Sequence, residues 1–253
     1  MKFIDTNAWC GSWPFAPIQG KSVVHPTLPR VGYEIHESLV SCFDTLFQID
    51  PMPGNRSLFD AFRLLKAFIP LPVINPATPA WEDHLDELIE HPSIVGIRLL
   101  PSYHGYRLNS FHVRRLVERL TEHSLRLVIT ARLVDERHEH PAVSIKPVQV
   151  TELEKFLNDY PRLDPLIQGL GVHELKTLSA VNGRFRTDTS FAEWEDTMKV
   201  LKRDLPTSRI LFGSLSPLQV QQAQIDKVRL SSISEAQRIA IACGNAQTYF
   251  GLQ

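Results

Sequence analysis

Short apolar runs recur along the chain, separated by longer segments in which apolar residues return every three or four positions. Eight runs stand out: Lys2–Asp5, Val40–Thr45, Phe68–Asn75, Val95–Leu100, Leu125–Ala131, Pro165–Leu170, Phe185–Thr189 and Arg209–Gly213. Several are continuously apolar, as expected of strands covered on both faces. The intervening segments carry helical spacing. Leu58, Phe62 and Leu65 mark Ser57–Ala67, and Val113, Leu116, Val117 and Leu120 mark Asn109–Glu122. Leu153, Phe156 and Leu157 mark Thr151–Asp159, where Thr151 and Glu154 read as a capping box. Trp81–Ile89, Ser190–Asp204, Ser216–Val228 and a C-terminal Ser234–Ala242 complete the helices, and the unit Gly169–Val181 has the weakest pattern.

This alternation predicts βα units around a parallel sheet. An open doubly wound sheet usually carries a glycine-rich phosphate loop after its first strand. Here that strand runs into Asp5-Thr6-Asn7-Ala8-Trp9 instead. The expectation is therefore a single-domain (β/α)8 TIM barrel over residues 1–253, with room for distortion and with a C-terminal helix. Function then belongs at the C-terminal strand ends. Polar residues gather there: Asp5, Asn7 and Trp9, then Asp44, Asn75, Arg98, Tyr103, His104, Arg132, Asp135, His138, His140, His173, Asp188, Ser190, Ser214 and Ser216.

Composition narrows the partners. Lys and Arg number 27 against 28 Asp and Glu, mixed along the chain, so no basic stripe points to nucleic acid or an anionic membrane. Three distant cysteines argue against a disulfide scaffold and fit a reducing cytoplasm. The longest nearly apolar stretch, Ala67–Ile74, is too short to span a bilayer. No second glycine follows Gly213-Ser214-Leu215-Ser216-Pro217 to make a nucleophile elbow.

Four stretches together resemble the amidohydrolase superfamily, in particular its amidohydrolase-2 branch of metal-dependent hydrolases and decarboxylases. Phe3-Ile4-Asp5-Thr6-Asn7-Ala8-Trp9 is similar to the family's opening Asp-x-His-x-His strand. Val95–Pro101 with Tyr103-His104-Gly105-Tyr106 resembles its fourth strand and loop. Ile210–Pro217 resembles its last strand, and Gly244-Asn245-Ala246 with Tyr249-Phe250-Gly251-Leu252 its closing helix. The resemblance implies a barrel enzyme acting on small molecules at a metal centre.

The positions that the resemblance assigns to metal ligands carry Asn7, Trp9 and Leu215, and none is a good donor. Only His173 stands where a family histidine would. The expectation is a degenerate metal site with no cofactor, while His104, Asp135, His138, His140 and His173 leave open zinc or another divalent ion at a non-standard site. The expected activity is hydrolysis or decarboxylation of a small carboxylated molecule. Arg98 and Arg132 would hold its acid group, and His104, His173 and Asp188 would handle protons. Asn7, Trp9, Tyr103, Asp135 and His140 would complete the substrate pocket. The competing expectation is a catalytically silent barrel that binds a small anion or a partner protein. Homo-oligomerisation is left open.

Overall fold

A computed structural model describes residues 1–15, 35–63, 67–135, 140 and 145–252. Eight strands appear among them, all paired in parallel: β1 (Phe3–Cys10), β2 (Ile35–Cys42), β3 (Phe68–Pro70), β4 (Gly96–Leu99), β5 (Arg126–Thr130), β6 (Leu166–Gln168), β7 (Arg186–Asp188) and β8 (Ile210–Leu211). They form two runs, β1-β2-β3 and β4 to β8. Main-chain hydrogen bonds bridge both seams. Arg98 N donates to Pro72 O at 2.8 Å between β3 and β4. Thr6 N donates to Phe212 O at 2.9 Å and Leu215 N to Asn7 O at 2.8 Å between β8 and β1. The ring is thus closed, as an eight-stranded α/β barrel requires.

The helices are α1 (Met52–Phe62), α2 (Trp81–Ile89), a single turn α3 (Pro101–His104), α4 (Phe111–Glu122), α5 (Val150–Asp159), α6 (Val172–Val181), α7 (Thr197–Asp204) and α8 (Gln221–Arg229). The chain ends in α9 (Glu235–Ile239), a π-helical turn over Ala240–Gly244, and α10 (Asn245–Phe250). Expected and observed boundaries differ where tertiary context decides. Helix α1 begins at Met52, because Asp50 Oδ1 accepts from Met52 N and Pro51 precedes it. Helix α5 starts after Gln149, so Thr151 and Glu154 do not make a capping box. Glu152 of its first turn instead accepts from Leu108 N at 2.8 Å. No helix among the described residues is long and apolar enough to cross a membrane.

The apolar residues sort into shells. The largest cluster lies between strands and helices and includes Phe3, Ile97, Ile129, Ile167 and Phe212. Inside the ring, Ile4, Leu39, Leu71, Val128, Leu166 and Leu211 meet Tyr249 and Phe250 of α10, which seal the lower end. Tyr249 donates to Asp164 O at 2.8 Å, and the Arg126 and Arg186 guanidiniums lie 5.1 and 4.8 Å from its ring. A second inner cluster, Trp9, Phe43, Leu46, Val73, Leu100, Leu133 and Leu215, fills the end where the strands terminate.

Candidate functional site

The strand alternation places a polar layer between these two inner clusters. On β1, Asn7 lies between Ile4 and Trp9; on β4, Arg98 precedes Leu100; at β8, Gly213 lies between Leu211 and Leu215. Thr130, Gln168 and Asp188 end their strands at the same level, each following Val128, Leu166 or Arg186 by two residues. Asn7, Arg98, Thr130, Gln168 and Asp188 are all buried.

Asn7 is the hub. Its amide nitrogen donates to Asp188 Oδ2 at 2.8 Å and to Ser190 Oγ at 3.3 Å. Its amide oxygen accepts from the Trp9 indole at 3.0 Å and from Arg98 Nη1 at 3.3 Å. Asp5 accepts from Asn7 N at 3.1 Å and from the main chain and hydroxyl of Ser214 at 2.9 and 2.5 Å. The Arg98 guanidinium lies 4.3 Å under the Trp9 ring, which stacks on Phe43 at 5.3 Å. Gly213 has no side chain where a Cβ would collide with Asp188 Oδ2 and stand 3.0 Å from the Asn7 Cβ. Glycine is thus what lets β8 approach this layer.

The electrostatics follow from burial. Arg98 has no exposed surface, and its Nε and Nη2 groups have no partner. Burial pushes it from 12.5 to about 9, against the pull of Asp188 and Asp5. Burial also raises Asp188, against the hydrogen bonds from Ser190, Asn7 and Gly169 and the charge of Arg98. Asp5 is raised by burial in the same way, with Ser214 opposing. Thr130 Oγ1 and Gln168 Oε1, in the same layer, also lack partners. Buried polar groups are normally satisfied, and these four atoms are not satisfied by the protein's own groups.

The other predicted residues stand around this layer. Arg132 forms an ion pair with Glu174 and lies 5.6 Å over Phe191, with its Nε unpartnered. The Nε2 of His104 is 2.8 Å from Thr45 O, a carbonyl that can only accept, so Nε2 carries the proton; Nδ1 has no partner, and burial lowers the ring's pKa. His173 is exposed on α6, edge-on to Trp194 at 5.6 Å. No interaction among the described residues joins it to Asn7, Arg98 or Asp188. Tyr103 meets Phe47 at 5.9 Å, and His140 meets Phe15 at 5.5 Å, on an aromatic rim that continues through Trp13 to Phe43. Asp135 is half-buried, while His138 lies outside the described residues. Arg98, Asp188, Asn7 and Trp9 are therefore brought together, and the histidines are not. Nothing in the sequence marks Glu174, and Gln168 carries only the signal of a polar residue ending an apolar strand.

The amidohydrolase family model matches residues 65–252, and the chain belongs to that family. No curated protein matches it in sequence. Among solved structures, it resembles a 5-carboxyvanillate decarboxylase from Sphingomonas paucimobilis at 14% identity and a TM-score of 0.75, covering 100% of this chain and 99% of that one. It also resembles a 2,6-dihydroxybenzoate decarboxylase from Rhizobium at 14% identity and TM-score 0.69, with 100% and 99% covered. A dihydroxybenzoic acid decarboxylase from Polaromonas, crystallised with manganese and the inhibitor 2-nitroresorcinol, matches at 15% identity and TM-score 0.69, with 87% and 83% covered.

The manganese corrects the expectation of a chain with no cofactor: a metal cofactor is found in this family. Among the described residues, no group of three or more His, Cys, Asp or Glu side chains could hold a metal ion. The Asn7 amide is taken up by Asp188, Ser190, Trp9 and Arg98, and Leu215 is buried in the upper apolar cluster. The described donors do not fit the metal.

Proposed function

We propose that the chain acts on a small carboxylated molecule at the polar layer of the barrel, in the range of hydrolysis and decarboxylation, with Arg98 holding the carboxylate. The observation that carries this reading is the buried Arg98 guanidinium with two open N–H groups. An ionised carboxylate supplies what they lack, at about 1.5–3 kcal/mol for a charged hydrogen bond. Asp188, 2.8 Å from Asn7 and raised by burial, is the group suited to hold or release a proton beside it. Trp9 would cover the ligand from above, held in place by Asn7 within the layer. Arg132, Tyr103, Asp135 and His140 would form the approach, and His104 and His173 would act only after moving inward. The named relatives, decarboxylases of aromatic acids, suggest aromatic carboxylates as the first compounds to try.

One feature favours a second reading, a catalytically silent barrel that binds an anion or a partner. Trp9 and Leu215, each at most 1% exposed, stand with Phe43 and Leu100 over the polar layer. The test is to incubate the protein with 2,6-dihydroxybenzoate, 5-carboxyvanillate and benzoate, with manganese supplied. Thermal stabilisation and carbon dioxide release are followed in wild type and Arg98→Met. Stabilisation with turnover, both lost in the variant, supports the enzyme. Stabilisation without turnover of these or related esters supports the silent barrel. Equal response of wild type and variant removes Arg98 from either account.

A further inference from the structure

Lys227 is a largely buried cation that the proposed chemistry does not use. It reaches from α8 across to the turn that follows β7, and its side chain is 9% exposed. Its ammonium donates to Thr189 O and Ala192 O at 3.0 Å each and to Glu193 Oε1 at 2.6 Å. An ammonium has three donors, and all three are spent on one five-residue turn. Glu193 is 65% exposed on its side chain, so the two main-chain carbonyls form the dry part of the contact.

That turn carries two of the contacts that hold the polar layer. Ser190 Oγ accepts from the Asn7 amide, and Thr189 Oγ1 accepts from Gly213 N at 3.2 Å. Phe191 lies under the Arg132 guanidinium, and Asp188 immediately precedes. A continuous path therefore runs from Lys227 through the turn to Ser190, to the Asn7 amide, and from its oxygen to the Trp9 indole. Rotation of the Asn7 amide would place its oxygen against Asp188 and its nitrogen against the Trp9 N–H, so the path has one low-energy orientation.

We infer that Lys227 is a positioning residue: by holding the Thr189 and Ala192 carbonyls it fixes the turn that orients Asn7, and through Asn7 it holds Trp9 over Arg98. As part of a carboxylate site this rests on the function proposed above; as a determinant of the Asn7–Trp9 geometry it does not.

The probe is the Trp9 indole N–H in the 15N-labelled full chain, identified by its loss in Trp9→Phe, with Trp81 as the internal reference. In Lys227→Met the Trp9 signal should shift and exchange with solvent about tenfold faster, as local opening predicts, with Trp81 unchanged. Ser190→Ala, which removes the link from the turn to the Asn7 amide, should reproduce the effect. Lys227→Arg and Glu193→Gln should largely preserve the wild-type signal. An unchanged Trp9 signal in Lys227→Met overturns the inference; if that variant does not fold, Lys227→Gln is judged by the same two outcomes. Benzoate binding is measured on the same samples. A wild type that binds no benzoate removes the carboxylate reading and leaves the Lys227 result standing. An unmoved Trp9 signal removes the Lys227 role and leaves the benzoate reading standing.

Discussion

Replacing Arg98 with methionine should make the protein more stable while removing its anion binding. Burial holds the guanidinium at about 9 instead of 12.5. At 1.36 kcal/mol per tenfold change, keeping the charge in this interior costs about 5 kcal/mol at neutral pH. The attraction of Asp188 and Asp5 is already included in that balance, and it loses. Methionine fills a similar volume without the charge. It gives up a desolvated contact with the Trp9 ring, about 2 kcal/mol, and the 3.3 Å hydrogen bond to Asn7, about 1 kcal/mol. The expected net gain is about 2 kcal/mol. Removing one member of a buried ion pair ordinarily costs about 3–5 kcal/mol. That rule assumes a directly paired charge, whereas Arg98 feels Asp188 and Asp5 through their charge and gives its hydrogen bond to Asn7. Urea unfolding at pH 7, by fluorescence and circular dichroism with matched m-values, measures the difference. A destabilisation of more than about 1 kcal/mol would refute the reasoning and make Arg98 a structural cation. A stabilised variant that no longer binds benzoate would identify a residue kept for function at the expense of stability.

Three further outcomes are expected. Gly213→Ala should destabilise by about 1–3 kcal/mol and disturb Asn7 and Asp188 first, since the new Cβ meets both; a neutral effect in thermal unfolding would contradict the close approach. Burial lowers the His104 pKa below 6.5, so its contribution is present above that value and declines as pH falls through the folded pKa. Wild type should therefore lose more stability than His104→Gln between neutral pH and mildly acidic pH, and parallel urea midpoints would contradict this. Tyr249→Phe should cost about 1–2 kcal/mol, from the lost bond to Asp164 O at the sealed end, without changing carboxylate binding.

The barrel was legible because its strands are covered on both sides, and Val95–Leu100 or Leu125–Ala131 cannot read otherwise. The helix starts were less legible. The start of α1 is set by Asp50 and Pro51, and α5 begins after Gln149, with Glu152 of its first turn bonded to Leu108 of a distant segment. Arg98 and Asp188 were visible as charges ending apolar strands. What could not be read was which of the strand-end groups converge. His104 is spent on Thr45 O, 59 positions away in sequence, and Arg132 on Glu174, 42 away. Lys227 carried no signal at all, because a lysine on an amphipathic helix reads as solvated until the turn it reaches is known.

The apolar layer of Trp9, Phe43, Leu100, Leu133 and Leu215 has a consequence in time as well as in energy. A solute headed for Arg98 must wait for these side chains to part, and tightly interdigitated cores rearrange as units. Association should then be slow, far below diffusion-limited encounter, and its observed rate should level off as solute concentration rises, at the frequency with which the layer opens. Trp9→Ala, which thins the layer, should lift that ceiling more than it changes the equilibrium constant. Stopped-flow records of the indole emission would read the opening frequency directly.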